Sequence, residues 1–197
     1  MAIQSVNKAL RFQKGISLIE LMMASAIGII ALLAVGSVFL SGQKLATERT
    51  QRLLVIQGIN EVLRYIKEDA QRAGFNGSQG NSLMLSGANN VISTSSSSLA
   101  YTYQKPDGEF TQVTFALDDS KLKMCESTGP SPITSICTPV PSLLDQHRLT
   151  VDSFIVTDTP LGSSVSSALI TLSLTASLLD GSHPQTISTQ IKQRNWK

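Results

Sequence analysis

The chain has 197 residues, of which 42% are hydrophobic and 5% aromatic, and its formal net charge is only +2. Three of its 16 basic side chains lie within the first 15 residues, so 13 remain against 14 acidic ones in the rest of the chain. A chain so close to neutral gives no reason to expect nucleic-acid binding.

The chain begins with a leader, residues 1–15, that carries three basic residues and no acidic one. An apolar run, residues 16–40, follows it. As a helix that rises about 1.5 Å per residue, this run is long enough to cross a hydrocarbon core of about 30 Å. Positive charge beside a span stays in the cytoplasm, so we expect residues 75–197 to face outward.

Other interpretations of the apolar run explain less. A secretory signal has an apolar region of about 7–15 residues before a small-residue cleavage site, and Ala34-Val35-Gly36 matches such a site only faintly. A plain membrane anchor explains the length but not Glu20, the one charge in the run. A carboxylate costs on the order of 2.5–3.5 kcal/mol at the centre of a membrane helix, so Glu20 indicates a function and needs a partner.

Residues 41–74 are charged but keep a helical pattern. Apolar residues recur there at spacings of three and four, which places them on one stripe of a helix: Ile56, Ile59, Leu63, Ile66, Ala70 and Ala73. The sequence therefore predicts one helix over residues 16–73, with a membrane-spanning half at 16–40 and an amphipathic half after it. Gly74 is the expected C-cap.

The rest of the chain, residues 75–197, predicts a β-rich head. Residues 78–98 are rich in Ser, Asn and Gly and predict an irregular connection. Alternating apolar and polar residues then predict strands at 99–103, 111–117, 121–125, 149–156, 168–178 and 187–191. Strands in series after one helix predict an α+β fold, in which an antiparallel sheet packs on the apolar stripe of the helix.

Cys125 and Cys137 lie in the part of the chain that we expect outside the cytoplasm, where disulfides form. A bridge between them would close about 13 residues and contribute roughly 3 kcal/mol. The alternatives are free thiols or a metal site, but there is no C-x-x-C, and His147 and His183 are the only histidines.

Catalytic motifs are missing from the sequence. It contains no G-x-S-x-G, no H-E-x-x-H and no P-loop, so we expect no enzymatic activity, no cofactor and no metal. The two histidines are expected at the surface. Tyr101 and Tyr103 share one face of a predicted strand, and we expect them in the core or at its rim rather than in a base-stacking surface.

Residues Gly15-Ile16-Ser17-Leu18-Ile19-Glu20-Leu21 resemble the processing motif of type IV prepilins, although that family usually has Phe where this chain has Ile16. The resemblance implies that prepilin peptidase cleaves between Gly15 and Ile16 and that Ile16 is then N-methylated. It also implies an assembly role for Glu20, which would neutralise the new amine of a neighbouring subunit. Glu20 lies four residues after Ile16, one turn along the predicted helix.

Residues 66–77 resemble the D-x-x-R-A-G-[FY]-x-G signature that closes the long helix in PilW-like minor pilins. The matching residues are Asp69, Arg72, Ala73, Gly74, Phe75 and Gly77. This resemblance implies a minor pilin of the bacterial inner membrane, with its head in the periplasm, that helps to initiate pilus assembly in a priming or tip complex. The implied partners are other minor pilins, the major pilin, prepilin peptidase and the inner-membrane assembly platform.

Two other functions stay open at this point. A J-type minor pseudopilin of a type II secretion system has a similar helix, although the D-x-x-R-A-G-F pattern favours the pilus. A membrane-anchored extracytoplasmic binding domain would never assemble. Four glycines in the predicted helix also have two interpretations, close packing of neighbouring helices or local melting near Gly36 and Gly42 during assembly; they are Gly28, Gly36, Gly42 and Gly58.

Overall fold

A computed structural model describes residues 15–77, 80–131, 142–161 and 168–193. It contains one long helix, α1, at Leu18–Ala70. The chain divides into two compact units, Met1–Thr47 and Glu48–Lys197. The predicted single helix is confirmed, but it begins two residues later and ends three residues earlier than the sequence indicated.

In the first unit, α1 presents apolar side chains that nothing in the described chain covers. Residues 16–40 are all exposed except Gly36, which is half-buried; Leu18 is 77% exposed and Ile30 68% exposed. By length and composition, α1 can cross a membrane. An apolar surface of this extent requires cover from lipid or from another protein, so the N-terminal part of the chain is compatible with membrane anchoring.

Antiparallel strands make up most of the second unit. The strands are β1 Ile92–Ser95, β2 Ser98–Gln104, β3 Phe110–Asp118, β4 Lys121–Gly129, β5 Leu149–Pro160, β6 Ala168–Leu178 and β7 Gln185–Lys192. One sheet has the order β1-β2-β3-β4 and the other has the order β5-β6-β7. The α+β fold class is confirmed, and the strands form two sheets where the sequence predicted one.

The strand predictions were wrong in detail where polar residues continue a ladder. Strand β1 lies in the segment that was predicted to be irregular, because its Ser- and Thr-rich sequence shows only one apolar residue, Ile92, which is buried opposite Tyr101. Strands β4 and β5 extend beyond their predicted ends through polar residues that still pair, such as Gly129 with Phe110. Pairing with a neighbour, rather than hydrophobic alternation, sets these ends.

A single hydrophobic core joins the second half of α1 to both sheets. The buried apolar residues of α1 are Val55, Ile59, Val62, Leu63, Ile66 and Ala70. The predicted stripe is confirmed, except that Ile56 is only half-buried, while Val55 and Val62 are buried although the prediction left them out. The buried face is therefore wider than a minimal stripe, as expected for a helix that packs against sheets on a globular core.

Gly58 has a structural explanation that the other helix glycines lack. A Cβ atom at Gly58 would lie 2.8 Å from the Cδ1 atom of Leu149, so glycine permits the close approach of α1 to β5. At Gly28, Gly36 and Gly42, a Cβ atom would meet nothing within 4 Å. Close helix packing remains a prediction for these three positions, and local melting remains a prediction for Gly36 and Gly42.

Two leucines of α1 provide a matched test of this packing, because Leu63 is 3% exposed and Leu53 is 54% exposed. We expect Leu63→Ala to lower the free energy of unfolding of the second unit by about 2–5 kcal/mol, since it removes buried methyl groups and leaves a cavity. Leu53→Ala should change it by about 0.5 kcal/mol or less. Denaturant unfolding of the full chain in detergent, followed by the β-sheet circular dichroism signal, measures both; equal effects would contradict this packing.

Candidate functional site

The residues of the predicted cleavage site lie immediately before α1. Gly15 and Ile16 are exposed, and Ile16 retains 76% of its accessible surface. The carbonyl oxygen of Ser17 accepts hydrogen bonds from the backbone N–H groups of Glu20 and Leu21, at 3.0 and 3.1 Å. Ser17 is therefore the N-cap, and Gly15 and Ile16 lie outside the helix in an accessible position.

Glu20 occupies the first turn of α1, where the positive end of the helix dipole favours a carboxylate. Ser17 and Glu20 also have the S-x-x-E spacing of a capping box, which sequence reasoning missed. The Glu20 carboxylate is exposed. Because the helix begins at Leu18, the prediction that Ile16 and Glu20 share one helical turn is wrong for the chain in this state.

The signature residues at the other end of α1 fasten the helix to β2. Asp69 is buried on the inner face of the helix, and its Oδ2 atom accepts a hydrogen bond from the hydroxyl of Tyr101. Its Oδ1 atom lies 3.1 Å from a guanidinium nitrogen of Arg72. A buried carboxylate is tolerated when such partners satisfy it, and Asp69 therefore links the helix to a fully buried residue of the sheet.

Arg72 extends the same connection to Tyr103. Its guanidinium carbon lies 5.4 Å from the centroid of the Tyr103 ring, within the range of a cation–π interaction. One of its nitrogens donates a hydrogen bond of 3.4 Å to the Tyr103 hydroxyl. The arginine is itself more than half exposed, so it covers the ring from the solvent side while it neutralises Asp69.

The glycines of the signature fix the path of the backbone after the helix. Gly74 and Gly77 have φ angles of 81° and 54°, in the left-handed region that favours glycine. The N–H of Gly74 donates to the carbonyl of Thr102 at 2.8 Å, and the N–H of Gln104 donates to the carbonyl of Phe75 at 2.8 Å. The chain leaving the helix is therefore hydrogen-bonded to the end of β2. The prediction that Gly74 caps the helix is wrong, because α1 ends at Ala70 and the N–H of Gly74 bonds to β2 instead of to a helix carbonyl.

The remaining signature residues support this path. Ala73 is buried, and its small side chain lets the turn pack against the core. At Gly77, a Cβ atom would lie 2.7 Å from the Oε1 atom of Gln104, whose Nε2 atom donates to the carbonyl of Gly108 at 3.0 Å. The D-x-x-R-A-G-F-x-G pattern is thus explained as one connection between the helix end and β2. We call these six signature residues, with Tyr101 and Tyr103, the helix-end clasp.

Tyr101 and Tyr103 belong to this clasp, and the charge of Asp69 also affects Tyr65, the third tyrosine of the chain. Burial, and then the negative charge of Asp69, raise the pKa of Tyr101 far above its usual range. The same two causes raise the pKa of Tyr103 to about 12. For Tyr65, burial followed by Asp69 and Glu126 raises the pKa. The three hydroxyls therefore stay protonated at neutral pH and can donate hydrogen bonds.

The other predicted site residues lie elsewhere. Cys125 is half-buried in β4, opposite Thr114 of β3. Cys137 lies outside the described residues, so its pairing with Cys125 stays a prediction. His147 is exposed, as expected, and His183 is half-buried in the turn before β7, where its φ angle is 54°. Neither histidine contributes to the clasp.

Sequence reasoning identified the Asp69 side of the clasp and missed its tyrosine partners. The alternation of Tyr101 and Tyr103 correctly predicted burial, since they are 0% and 4% exposed. Their hydroxyls also indicated that polar partners lie nearby, because a buried tyrosine hydroxyl usually has a hydrogen-bond partner. Asp69, which lies at the end of the apolar stripe and 32 residues before Tyr101, was the candidate partner for such a hydroxyl.

The coupling of Asp69 to Tyr101 can be measured with a double-mutant cycle. We expect Tyr101→Phe and Asp69→Asn each to lower the free energy of unfolding by about 1–3 kcal/mol, because each weakens or removes the hydrogen bond of a buried polar partner. The double variant should lose less than the sum of the two. Arg64→Ala with Tyr101→Phe is the control, since Arg64 is largely exposed; strict additivity in the Asp69 cycle would contradict the clasp.

The raised tyrosine pKa values predict a stability loss at alkaline pH. A group whose pKa is higher in the folded than in the unfolded state stabilises the fold below its unfolded pKa, which is about 10 for tyrosine, and loses that contribution as pH rises above it. We expect the free energy of unfolding to fall above pH ~10, and to fall less steeply in Tyr101→Phe. Denaturant titrations across this range measure both slopes, and equal slopes would show that Tyr101 ionises freely in the fold.

The chain matches the family model of prepilin peptidase-dependent protein B over residues 48–194. The match begins within the amphipathic half of α1, covers the rest of it, the helix-end clasp and both sheets, and leaves out the apolar run and the leader. No curated protein and no solved structure matches the chain. With about three quarters of its length matched, this chain belongs to the family of prepilin peptidase-dependent protein B and is a pilin-like protein.

Proposed function

We propose that this protein is a non-catalytic minor pilin that helps to initiate assembly of a type IV pilus. The observation that carries the proposal is the exposed apolar half of α1, which begins next to Gly15 and bears one carboxylate, Glu20. Membership of a family named for dependence on prepilin peptidase supports it. Because the hydrophobic core does not cover the first half of α1, this half is suited to insertion first in a bilayer and then in a filament.

Prepilin peptidase acts first in the proposed sequence of events. It cleaves between Gly15 and Ile16, which removes the basic leader and creates an amine on Ile16, and this amine is then methylated. The exposed, non-helical conformation of Gly15 and Ile16 supports this step, since a protease binds its substrate in an extended form. Until assembly, the protein stays in the inner membrane with its head in the periplasm.

Glu20 then directs the packing of the processed helix among its neighbours. In an apolar filament core, a carboxylate requires a paired cation, and the amine on Ile16 of an adjacent subunit supplies one. The exposure of the Glu20 side chain supports this role. Other minor pilins, the major pilin and the inner-membrane assembly platform are the proposed partners, in a priming complex that remains at the pilus tip.

The test of this role is a matched pair of charge removals on α1. We expect Glu20→Gln to reduce incorporation of the protein into sheared pili by about tenfold or more, because breaking a buried ion pair costs about 3–5 kcal/mol. Glu48→Gln removes an exposed acid from the same helix and should leave incorporation unchanged. Immunoblots of the pilus and membrane fractions measure the incorporation of each variant. Equal incorporation of the wild type and Glu20→Gln would overturn the assembly role.

A further inference from the structure

A groove beside the helix-end clasp has the size of a small-ligand site. It lies between the end of α1 and the turn that joins β2 to β3, entirely within the second unit, and its volume is about 470 Å³. Ligand pockets in proteins usually enclose about 300–1,000 Å³. We call it the clasp groove, and its lining includes Glu68, Gln71, Arg72, Phe75, Lys105 and Pro106.

Hydrogen bonds hold the two walls of the clasp groove in place. The N–H of Gln104 donates to the carbonyl of Phe75 at 2.8 Å, which joins the chain after the helix to the end of β2. In the turn that follows, the N–H of Lys105 donates to the carbonyl of Glu109 at 2.7 Å, and Asp107 accepts a bond of 3.0 Å from the N–H of Glu109. Walls that are fixed before binding lose less conformational entropy when a ligand enters.

The three charged side chains of the described lining each lie against an opposite charge. An ionic ligand would therefore compete with partners that are already in place. Complementary charge selects a partner, so this arrangement favours a ligand without net charge. The pairs are Arg72 with Asp69 at 3.1 Å, Lys105 with Glu126 at 3.1 Å, and Glu68 with Arg64 at 3.9 Å.

The lining also combines apolar surface with groups that form neutral hydrogen bonds. The Phe75 ring is 37% exposed and Pro106 is exposed, so both offer carbon surface to a ligand. The Gln71 side chain is exposed in the same groove, and an amide can both donate and accept hydrogen bonds. Arg72 adds N–H donors, of which a guanidinium has several.

The clasp explains the backbone of Phe75 but not its ring. The N–H of Phe75 donates to the carbonyl of Arg72 at 3.1 Å, and its carbonyl accepts the bond from Gln104; most residues could make both bonds. The ring lines the groove instead of the core. Apolar surface left in water is unfavourable, so a ligand that covers the ring would gain free energy from it.

We propose that the clasp groove binds a neutral sugar unit of a glycan chain. A pyranose ring has C–H groups on its faces, which would stack on Phe75 and Pro106. It has hydroxyl groups at its rim, each able to donate and accept, which would bond to the Gln71 amide and to N–H groups of Arg72. The site depends on the head alone, and it holds or fails independently of the proposed role of Glu20.

Ligand-observed NMR tests this proposal on the full-length protein, in a detergent without a sugar headgroup. The neutral probes are the N-acetylglucosamine trimer and maltotriose, and the anionic probe is the galacturonic acid trimer. We expect at least one neutral trimer to bind and the anionic trimer to bind several-fold more weakly, because the cations of the groove already have partners. Absence of binding by both neutral probes, or equal binding by the anionic one, would overturn the proposal.

Variants then locate the binding site. Gln71→Ala removes an amide from the groove and should weaken binding of the neutral trimer by about fivefold or more, the effect of losing one hydrogen bond. Gln57→Ala removes an exposed amide of α1 outside the groove and should leave binding unchanged. Equal binding by these two variants, with circular dichroism showing that both are folded, would contradict the proposed site.

A second pair of variants tests stacking on the ring. Phe75→Leu keeps an apolar side chain but removes the aromatic face, and should weaken binding several-fold. Tyr65→Leu is its control, since Tyr65 is 42% exposed and lines a different groove. Equal loss of binding in the two folded variants would show that the ring of Phe75 does not form the site.

Such a sugar unit could come from the cell wall or from glycans on another surface, and sedimentation with purified cell-wall sacculi separates these sources. Sedimentation of the wild type that Gln71→Ala reduces would identify the glycan strand of the wall. Binding of the soluble trimer without sedimentation would identify a glycan outside the wall. A groove that another pilin subunit fills would bind none of the sugars, which would overturn the proposal.

Discussion

The two halves of α1 have different surroundings, and the rest of the structure depends on this difference. The first half of α1 is apolar on all sides and exposed in the described chain, whereas the second half buries one face in the core of the β-rich unit. Exposed aliphatic side chains are unfavourable in water at about 25 cal/mol per Å². The first half therefore requires an external partner, while the second half fixes the head to the helix that carries that requirement.

The helix-end clasp fixes the orientation of the last turn of α1 relative to β2. Without it, the last turn of α1 would be held by apolar contacts alone, and these have no direction. The Asp69–Tyr101 hydrogen bond, the Arg72 stacking on Tyr103 and the two backbone bonds to β2 have fixed geometry. They join the end of the helix to β2, a central strand of the four-stranded sheet.

Much of this fold could be predicted from the sequence because its main elements have strong periods. The stripe at spacings of three and four located the buried face of α1, and the alternation in 168–178 located β6 at the same bounds. What could not be predicted depends on tertiary partners. Strand β1 has too few apolar residues to be recognised in the sequence, and alternation within a strand does not indicate that β4 and β5 belong to different sheets.

The candidate sites show the same contrast. The residues of the signature were recognisable by type and spacing, but their purpose was not, because Asp69 meets a tyrosine from a distant strand. The position of Glu20 in the chain was informative, yet its helical relation to Ile16 was misjudged, since the helix starts only at Leu18. Helix ends depend on the local backbone conformation, which the periodicity of apolar residues does not report.

The central claim is that cleavage after Gly15 prepares the apolar half of α1 for assembly. The mass of the mature N-terminal peptide tests this claim most directly. The protein should be purified from envelopes of cells that contain prepilin peptidase, and from cells that lack it as the control. The account predicts a chain that starts at methylated Ile16 in the first sample and retains the leader in the second. A chain that starts at Met1 in both samples, or beyond Gly36, would contradict it.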